Sequence, residues 1–163
     1  AAGVQATNPQ VKLLTNFSGN QDDNALSHRV ALAQMQAGAD VIFTMLNAGR
    51  NGVTQACREK GTRQIGNVID WVPVDPAVFV ASAIADVSIG VFDAVRDQQA
   101  GNFPAGQIRK VGLSNPQAVR LSMANDVPAA VKARVAEVAQ GIASGKILVP
   151  ESFNGPEFAT PAN

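Results

Sequence analysis

The chain has 163 residues, 46% of them apolar and 16% charged, with 14 glycines, 9 prolines and no tyrosine. That length buries one core, or one lobe and part of another, and the composition is that of folded globular chains, not of disordered or fibrous ones. Thirteen Lys and Arg balance thirteen Asp and Glu, and no basic run supplies a footprint for phosphates, which argues against nucleic acid as a partner.

No apolar run reaches the roughly 20 residues that a membrane helix needs. The one cysteine, Cys57, permits no internal disulfide and no multi-cysteine metal site; in TQACREK it reads as a small buried thiol on a helix. The opening AAGVQATNPQ reads as the end of a helix running into an Asn-Pro turn, the start expected of a fragment.

In chain order, VKLLTNF (Val11 to Phe17) predicts a strand followed by the polar loop SGNQDD. Apolar positions Ala25, Leu26, Val30, Ala33 and Ala37 predict a helix from Asp23 to about Ala37, capped by Asp22 or Asp23 and stopped by Gly38. VIFTM (Val41 to Met45) predicts a strand covered on both faces, Asn51 to Lys60 a helix stopped by Gly61, and QIGNVI (Gln64 to Ile69) a further strand. Strands alternating with helices at this spacing predict a parallel sheet with right-handed crossovers.

Beyond WVPVDPAV, the run from Phe79 to Gln99 reads mostly as one long helix, although its VFV start is equally suited to extended chain. Short strands are expected near Ile108 to Leu113 and Val119 to Ser122. AAVKARVAEVAQGIASG carries the strongest helical pattern, with Asp126 placed as N-cap, a Val131, Val135, Val138 and Ile142 stripe, and Gly145 as stop. KILVP and a Pro/Gly-rich tail close the chain.

Carboxyl ends of strands in open parallel sheets are where ligand-binding loops gather. Asn47, Arg50 and Asn51 stand at a helix mouth, where free N–H groups and a guanidinium suit a carboxylate, hydroxyl or phosphate. The same residues also fit a plain turn in which Gly49 and Gly52 ease the bend, Asn caps the helix and Arg50 faces water. Asp70 and Trp71 could accept hydroxyls and cover a flat apolar ligand face, or be a cap beside a Trp packed under Pro73 and Pro76. Asn20 and Gln21 with Asp22 form a weaker candidate, since capping accounts for the Asp pair.

His28, the one histidine, has no sequence-placed partner, and neither paired metal-ligand spacing nor a GxGxxG or GxxxxGK[ST] loop occurs. This pattern calls for no cofactor, no metal and no catalytic residues.

NPQVKLLTNFSGNQDDNALSHRVALAQMQAGADVIFTMLNAGRNGVTQACREKG, then QIGNVIDW, then VPAAVKARVAEVAQGIASGKILVP resemble the basic membrane protein family, substrate-binding proteins or lipoproteins of ABC importers, many similar to purine nucleoside receptors. The resemblance runs from about Gly3 to Pro150. It implies an α/β chain, the three-layer parallel-sheet lobe of a type I periplasmic-binding-protein-like fold. The chain would be the C-terminal half, with residues 1–100 most of the ligand-binding lobe, 101–125 a segment returning to the other lobe, 126–150 a helix and extended segment, 151–163 a tail, and the N-terminal lobe absent.

Under the same resemblance the family's GGTG turn falls on Asn47, Ala48, Gly49 and Arg50. The sugar-binding aspartate falls on Asp70, followed by Trp71. The SFDDPA loop reads NQDDNA from Asn20 to Ala25, with Gln21 in place of the aromatic, and a common lysine is Ala85 here. The ligand set implied is Asn47, Arg50, Asp70, Trp71, Asn20 and Gln21. The implied role is capture of a small polar solute, nucleoside-like in many relatives, between two lobes for an ABC permease, in the periplasm or on the outer face of the cytoplasmic membrane. A ligand-sensing domain of a receptor or regulator is the alternative, and an enzyme domain completed by an absent half is a weaker third.

Overall fold

The computed structural model describes residues 1–159; the last four residues of the expected tail lie outside the described residues. Five helices and four strands follow one another as α1 (Ala2–Thr7), α2 (Asn24–Gln36), β1 (Val41–Phe43), α3 (Arg50–Lys60), β2 (Arg63–Val68), β3 (Phe79–Ala85), α4 (Val87–Gln99), β4 (Val119–Met123) and α5 (Ala129–Ala143) among the described residues. The strands form one sheet in the order β1-β2-β3-β4. The sheet is mixed: β1 and β2 are parallel, from Val41↔Arg63 to Phe43↔Ile65, while β4 runs antiparallel to β3, from Ala81↔Met123 to Ala85↔Val119.

The chain divides into two compact units, the first made of Ala1–Ile65, Ala77–Phe79 and the residues from Leu148 on, the second of Gly66–Pro76 and Val80–Ile147. In the first unit, α2 begins where the Asp23 carboxylate accepts the Leu26 N–H at 2.9 Å. Asp23 is thus the cap. Gly38, at φ +97°, follows the end of α2. Helix α3 ends at Gly61, whose N–H donates to the Cys57 carbonyl and whose φ of +66° turns the chain so that the Thr62 N–H reaches the same carbonyl at 3.0 Å. Helix α2 packs against α3, burying Ser27 and Ala31 from one and Gly52, Val53, Thr54, Ala56 and Cys57 from the other.

Five expectations are corrected. Residues 11–17 form no strand; the Leu14 carbonyl accepts from Gln34 Nε2 and the Thr15 carbonyl from the Phe158 N–H, so their backbone bonds go to a side chain and to the tail in place of a sheet neighbour. The Phe17 ring also meets Phe153, with centroids 6.3 Å apart. Strand β1 is three residues long and buries only Ile42, leaving Val41 and Phe43 exposed; it is half-covered, not covered on both faces.

The run 79–99, expected to be mostly one long helix with a start equally suited to extended chain, is a strand and then a helix. Residues 79–85 are extended as β3, with Phe79, Ala81, Ser82 and Ile84 buried, and Asp86 then caps α4 by accepting the Ser88 N–H at 3.1 Å. Residues 108–113 are not a strand; Arg109 ties them to α4 through ion pairs with Asp97 and Asp93. Finally, α5 is capped at Pro128 with no side-chain cap bond, so Asp126 does not cap it. Proline there is favourable because a missing N–H costs nothing at a helix start.

Among the described residues, the buried apolar side chains of the first unit are Ala31, Ile42, Val53, Ala56, Cys57, Val78 and Phe79, and of the second Ala81, Ile84, Ala118 and Ala124, so apart from Phe79 these are small or aliphatic. Neither α4 nor α5 has a buried residue, and Val87, Val91 and Val95, spaced four apart on α4, are exposed with Phe92 beside them. Among the described residues no helix is long and apolar enough to cross a membrane.

Cys57 is fully buried, and burial pushes its thiol up to about 11 because the thiolate is the form that loses solvation. The folded state therefore favours the protonated thiol; this stabilisation is complete below the unfolded value of roughly 8.5 and is lost as pH rises through about 11. At pH 8 the native chain should react with Ellman's reagent only as slowly as it unfolds, and rapidly in urea; fast stoichiometric labelling of the native chain would contradict this burial.

Candidate functional site

The expected turn after β1 is present, but its glycines serve a different purpose. Gly49 and Gly52 do not occupy the left-handed region; they are small because another backbone is in the way. A Cβ on Gly52 would sit 2.0 Å from the Asn24 carbonyl oxygen and 2.5 Å from Ser27 Oγ, and one on Gly49 would sit 2.7 Å from the Gln21 carbonyl oxygen. The loop before α2 and the mouth of α3 are in direct backbone contact.

Hydrogen bonds fasten that contact. The Gln21 carbonyl accepts the Asn47 N–H at 3.1 Å and the Gly49 N–H at 3.0 Å. Asp22 Oδ1 accepts the Ala48 N–H at 3.2 Å, Asn24 Oδ1 accepts the Gly52 N–H at 3.1 Å, and the Ser27 hydroxyl donates to the Gly49 carbonyl. Asp22 and Asp23 thus have separate tasks, one tying two loops together and one capping α2. Beneath the turn lies a buried polar chain: Thr54 Oγ1 donates to Gln64 Oε1 at 2.9 Å, and Gln64 Nε2 donates to Thr44 Oγ1 at 3.3 Å. Gln64 is wholly buried on β2, where an unmet amide would be costly.

Of the candidate ligand residues, Asn20, Gln21, Asn47 and Arg50 belong to this one constellation. Asn20 Oδ1 accepts the Asp22 N–H at 2.9 Å within its own loop, Gln21 contributes its carbonyl, and the Asn47 carbonyl accepts the Arg50 N–H. Asn20, Gln21, Asn47 and Asn51 are exposed, and Arg50 is half-buried. The guanidinium does not simply face water: Nη1 turns back to the Leu46 carbonyl at 3.4 Å, and burial holds its pKa below the ordinary arginine value. The N-cap of α3 is Gly49, which has no side chain to offer, so the asparagine cap expected from the turn is corrected: the asparagine oxygen that meets a first-turn N–H of α3 is that of Asn24, on the Gly52 N–H.

Asp70 and Trp71 follow β2 in the second unit. The Asp70 carboxylate accepts the Val72 N–H at 3.1 Å, closing a local turn while a second oxygen remains for other donors. Trp71 packs on Gly66: a Cβ at Gly66 would lie 2.5 Å from its Cδ1. The last residue of β2 is Val68, whose φ of +72° is the one non-glycine left-handed value among the described residues; for a β-branched side chain this is strained backbone. A separate hollow of about 380 Å³ in the second unit is lined by Val72, Pro73, Pro76, Ala124, Asn125 and Asp126 and contains none of the candidate residues.

Sequence reasoning missed Asn24, Ser27, Gln64, Gly66 and Ser82. Gly66 and Gln64 carried a usable signal, a glycine and an amide inside an otherwise strand-like run; the others depend on contacts distant in sequence.

The sequence pattern of the ABC transporter substrate-binding protein PnrA-like (Bmp) family matches residues 1–152. The chain belongs to that family. It is similar to the CD4+ T-cell-stimulating antigen of Listeria monocytogenes, with 28% identity covering 92% of this chain and 46% of the antigen. In structure it resembles a transcriptional activator of the comK gene from Bacillus halodurans, with TM-score 0.79, 16% identity and coverage of 89% of this chain and 50% of that one. A solute-binding protein of an ABC transporter system from Aeropyrum pernix K1 is also similar, with TM-score 0.74, 21% identity and coverage of 98% and 51%. These structures establish the α/β fold expected of a periplasmic-binding-protein-like lobe, and the chain spans about half the length of each relative.

The backbone contact at Gly52 gives a direct test. Gly52→Ala should destabilise the chain by about 2 to 3 kcal/mol, because a rigid carbonyl cannot give way, whereas Asn51→Ala on the exposed side should stay within about 0.5 kcal/mol. Urea denaturation of the two variants distinguishes them, and an unaffected Gly52→Ala midpoint would refute the close approach.

Proposed function

We propose that this chain is the ligand-binding half of a solute-binding component of an ABC importer, which takes up a small polar solute, nucleoside-like in character, and delivers it to a membrane permease. Family membership over residues 1–152 carries the reading. The geometry supports it: five hydrogen bonds fix the backbone of the 47–52 turn to the loop before α2 and to the first turn of α2 and leave Asn47 and Asn51 exposed, an arrangement in which polar groups can meet a solute without rearranging the scaffold.

In this reading, residues 1–100 form most of one lobe, 101–125 return toward an amino-terminal lobe, 126–150 supply a helix and extended segment, and the solute lies in a cleft between the two lobes. Asp70 accepts hydroxyl or amine hydrogens, Trp71 covers a flat face, and Asn47, Arg50, Asn20 and Gln21 meet polar or anionic groups. No bond of the solute changes. Contacts from both lobes exist only in the closed state, so the solute shifts an open-closed equilibrium that the permease reads. The uncovered valines of α4 fit a chain whose apolar surface is completed by an amino-terminal lobe. The setting is the periplasm or the outer face of the cytoplasmic membrane.

A thermal-shift screen of nucleosides, sugars and small carboxylates on the intact two-lobed protein tests the solute class. Calorimetry with adenosine then tests Asp70: Asp70→Ala should weaken binding by about 1.5 to 3 kcal/mol, the worth of a charge-assisted hydrogen bond, and equal affinity would remove Asp70 from the site. The present chain alone should bind weakly or not at all, since half of the contacts are missing; affinity equal to that of the intact protein would contradict the cleft. Loss of solute uptake when the gene is deleted supports import, while binding without any effect on uptake would move the reading to ligand sensing.

A further inference from the structure

Within the first unit the tail lies along residues 14–17 and bonds to them at three points. The Phe158 N–H donates to the Thr15 carbonyl, Asn16 Nδ2 donates to the Phe158 carbonyl at 3.2 Å, and the Phe17 N–H donates to Glu157 Oε2 at 3.2 Å. In extended chain successive carbonyls point to opposite edges. Here the Leu14 carbonyl turns to Gln34 of α2, while the Thr15 carbonyl and the Phe17 N–H turn to the tail. Although residues 14–17 join no sheet, they offer the tail one strand-like edge. The rings of Phe17 and Phe153 close the contact, with centroids 6.3 Å apart, and Gly155 leaves room for the Phe153 ring, whose Cε2 would lie 2.7 Å from a Cβ there.

The contact is shallow. Of residues 151–159 only Phe158 is partly buried, and Asn16 Oδ1 is buried with no hydrogen-bond partner among the described residues, an unmet acceptor that costs stability. Segments held by few buried contacts open at free energies far below that of global unfolding. The contact is also well placed. Between Phe17, held by Glu157, and Gln21, whose carbonyl is held by the mouth of α3, lie only Ser18, Gly19 and Asn20. Inside that stretch Ser18 Oγ donates to the Asn20 carbonyl at 3.0 Å and Asn20 Oδ1 accepts the Asp22 N–H at 2.9 Å. The tail thus fixes one end of the loop and α3 the other.

We propose that residues 151–159 are a releasable strap: docked on the 14–17 edge they keep the Asn20 and Gln21 loop in order, and lifted they let that loop loosen while the rest of the first unit stays folded. This control of loop order does not depend on what the loop binds.

Amide hydrogen exchange of the full chain, followed residue by residue by NMR, tests the strap with no ligand present. Phe158→Pro removes the N–H that donates to Thr15. It should speed exchange about tenfold at Phe17 and about threefold at Asp22, whose own bond is to Asn20 and not to the tail. The Gly61 N–H, bonded to the Cys57 carbonyl at the end of α3, should not change. Glu157→Ala should act in the same direction, whereas Glu157→Gln, which keeps an acceptor oxygen, should stay within about twofold of the parent chain. Unchanged exchange at Phe17 in both Phe158→Pro and Glu157→Ala overturns the strap. Faster exchange at Phe17 with Asp22 unmoved overturns its control of the loop, and equal acceleration at Gly61 means general loosening and overturns it too. If Phe158→Pro fails to fold, Glu157→Ala, a change at an exposed side chain, decides the matter.

Discussion

Gly52 stands where the mouth of α3 meets the start of α2 so closely that the Asn24 carbonyl would lie 2.0 Å from any added Cβ. Backbone against backbone at this distance is incompressible, and it fixes several things at once. It sets how deeply α2 and α3 pack, because Ser27 and Ala31 on one side and Val53, Ala56 and Cys57 on the other are buried around it. It brings the loop of Asn20 and Gln21 to the turn of Asn47 and Arg50, with the Gln21 carbonyl shared between two amides. Without small residues at 49 and 52 these two loops could not belong to one surface.

A division follows between atoms that build the turn and atoms that face outward. The bonds that build it use main-chain groups, with side chains from Asp22, Asn24 and Ser27 completing them. Beneath them, Thr44, Gln64 and Thr54 bond to one another inside the first unit, which ties together the residue after β1, the start of β2 and the second turn of α3. A fully satisfied buried polar chain specifies a unique arrangement more sharply than apolar packing does. The outward side chains carry no such duty, and the turn can therefore change its polar groups while the loop path stays as it is.

Local signals were legible where they act locally. Asp23 before an Ala- and Leu-bearing run, Gly61 after Lys60 and the Val119 start of β4 were all readable, because a cap, a left-handed stop and a β-branched run are decided within a few residues. The Val11 to Phe17 segment was not, since whether an apolar run becomes a strand depends on a neighbour, and its neighbour is the tail near Phe158, about 140 residues away in sequence. The joint between β3 and α4 was hidden for another reason: alanine-rich 79–85 suits either state, and Asp86 reads as a cap only once the strand before it is known. Within the candidate site, the sequence located the loops correctly but misjudged their glycines, whose need comes from a carbonyl 28 positions away at Asn24.

Val68 lends the second unit a property of its own. A valine at φ +72° rests about 1 to 3 kcal/mol above the conformation it would choose freely, and the tight turn around it is closed by the Ile69 N–H, which donates to the Asn67 carbonyl at 2.9 Å, the same carbonyl that accepts the Trp71 indole N–H. The resting loop is in effect a loaded spring. Any rearrangement that lets Val68 fall into an ordinary basin recovers that energy, so the loop's willingness to move is tuned by a side chain that need never touch what is bound.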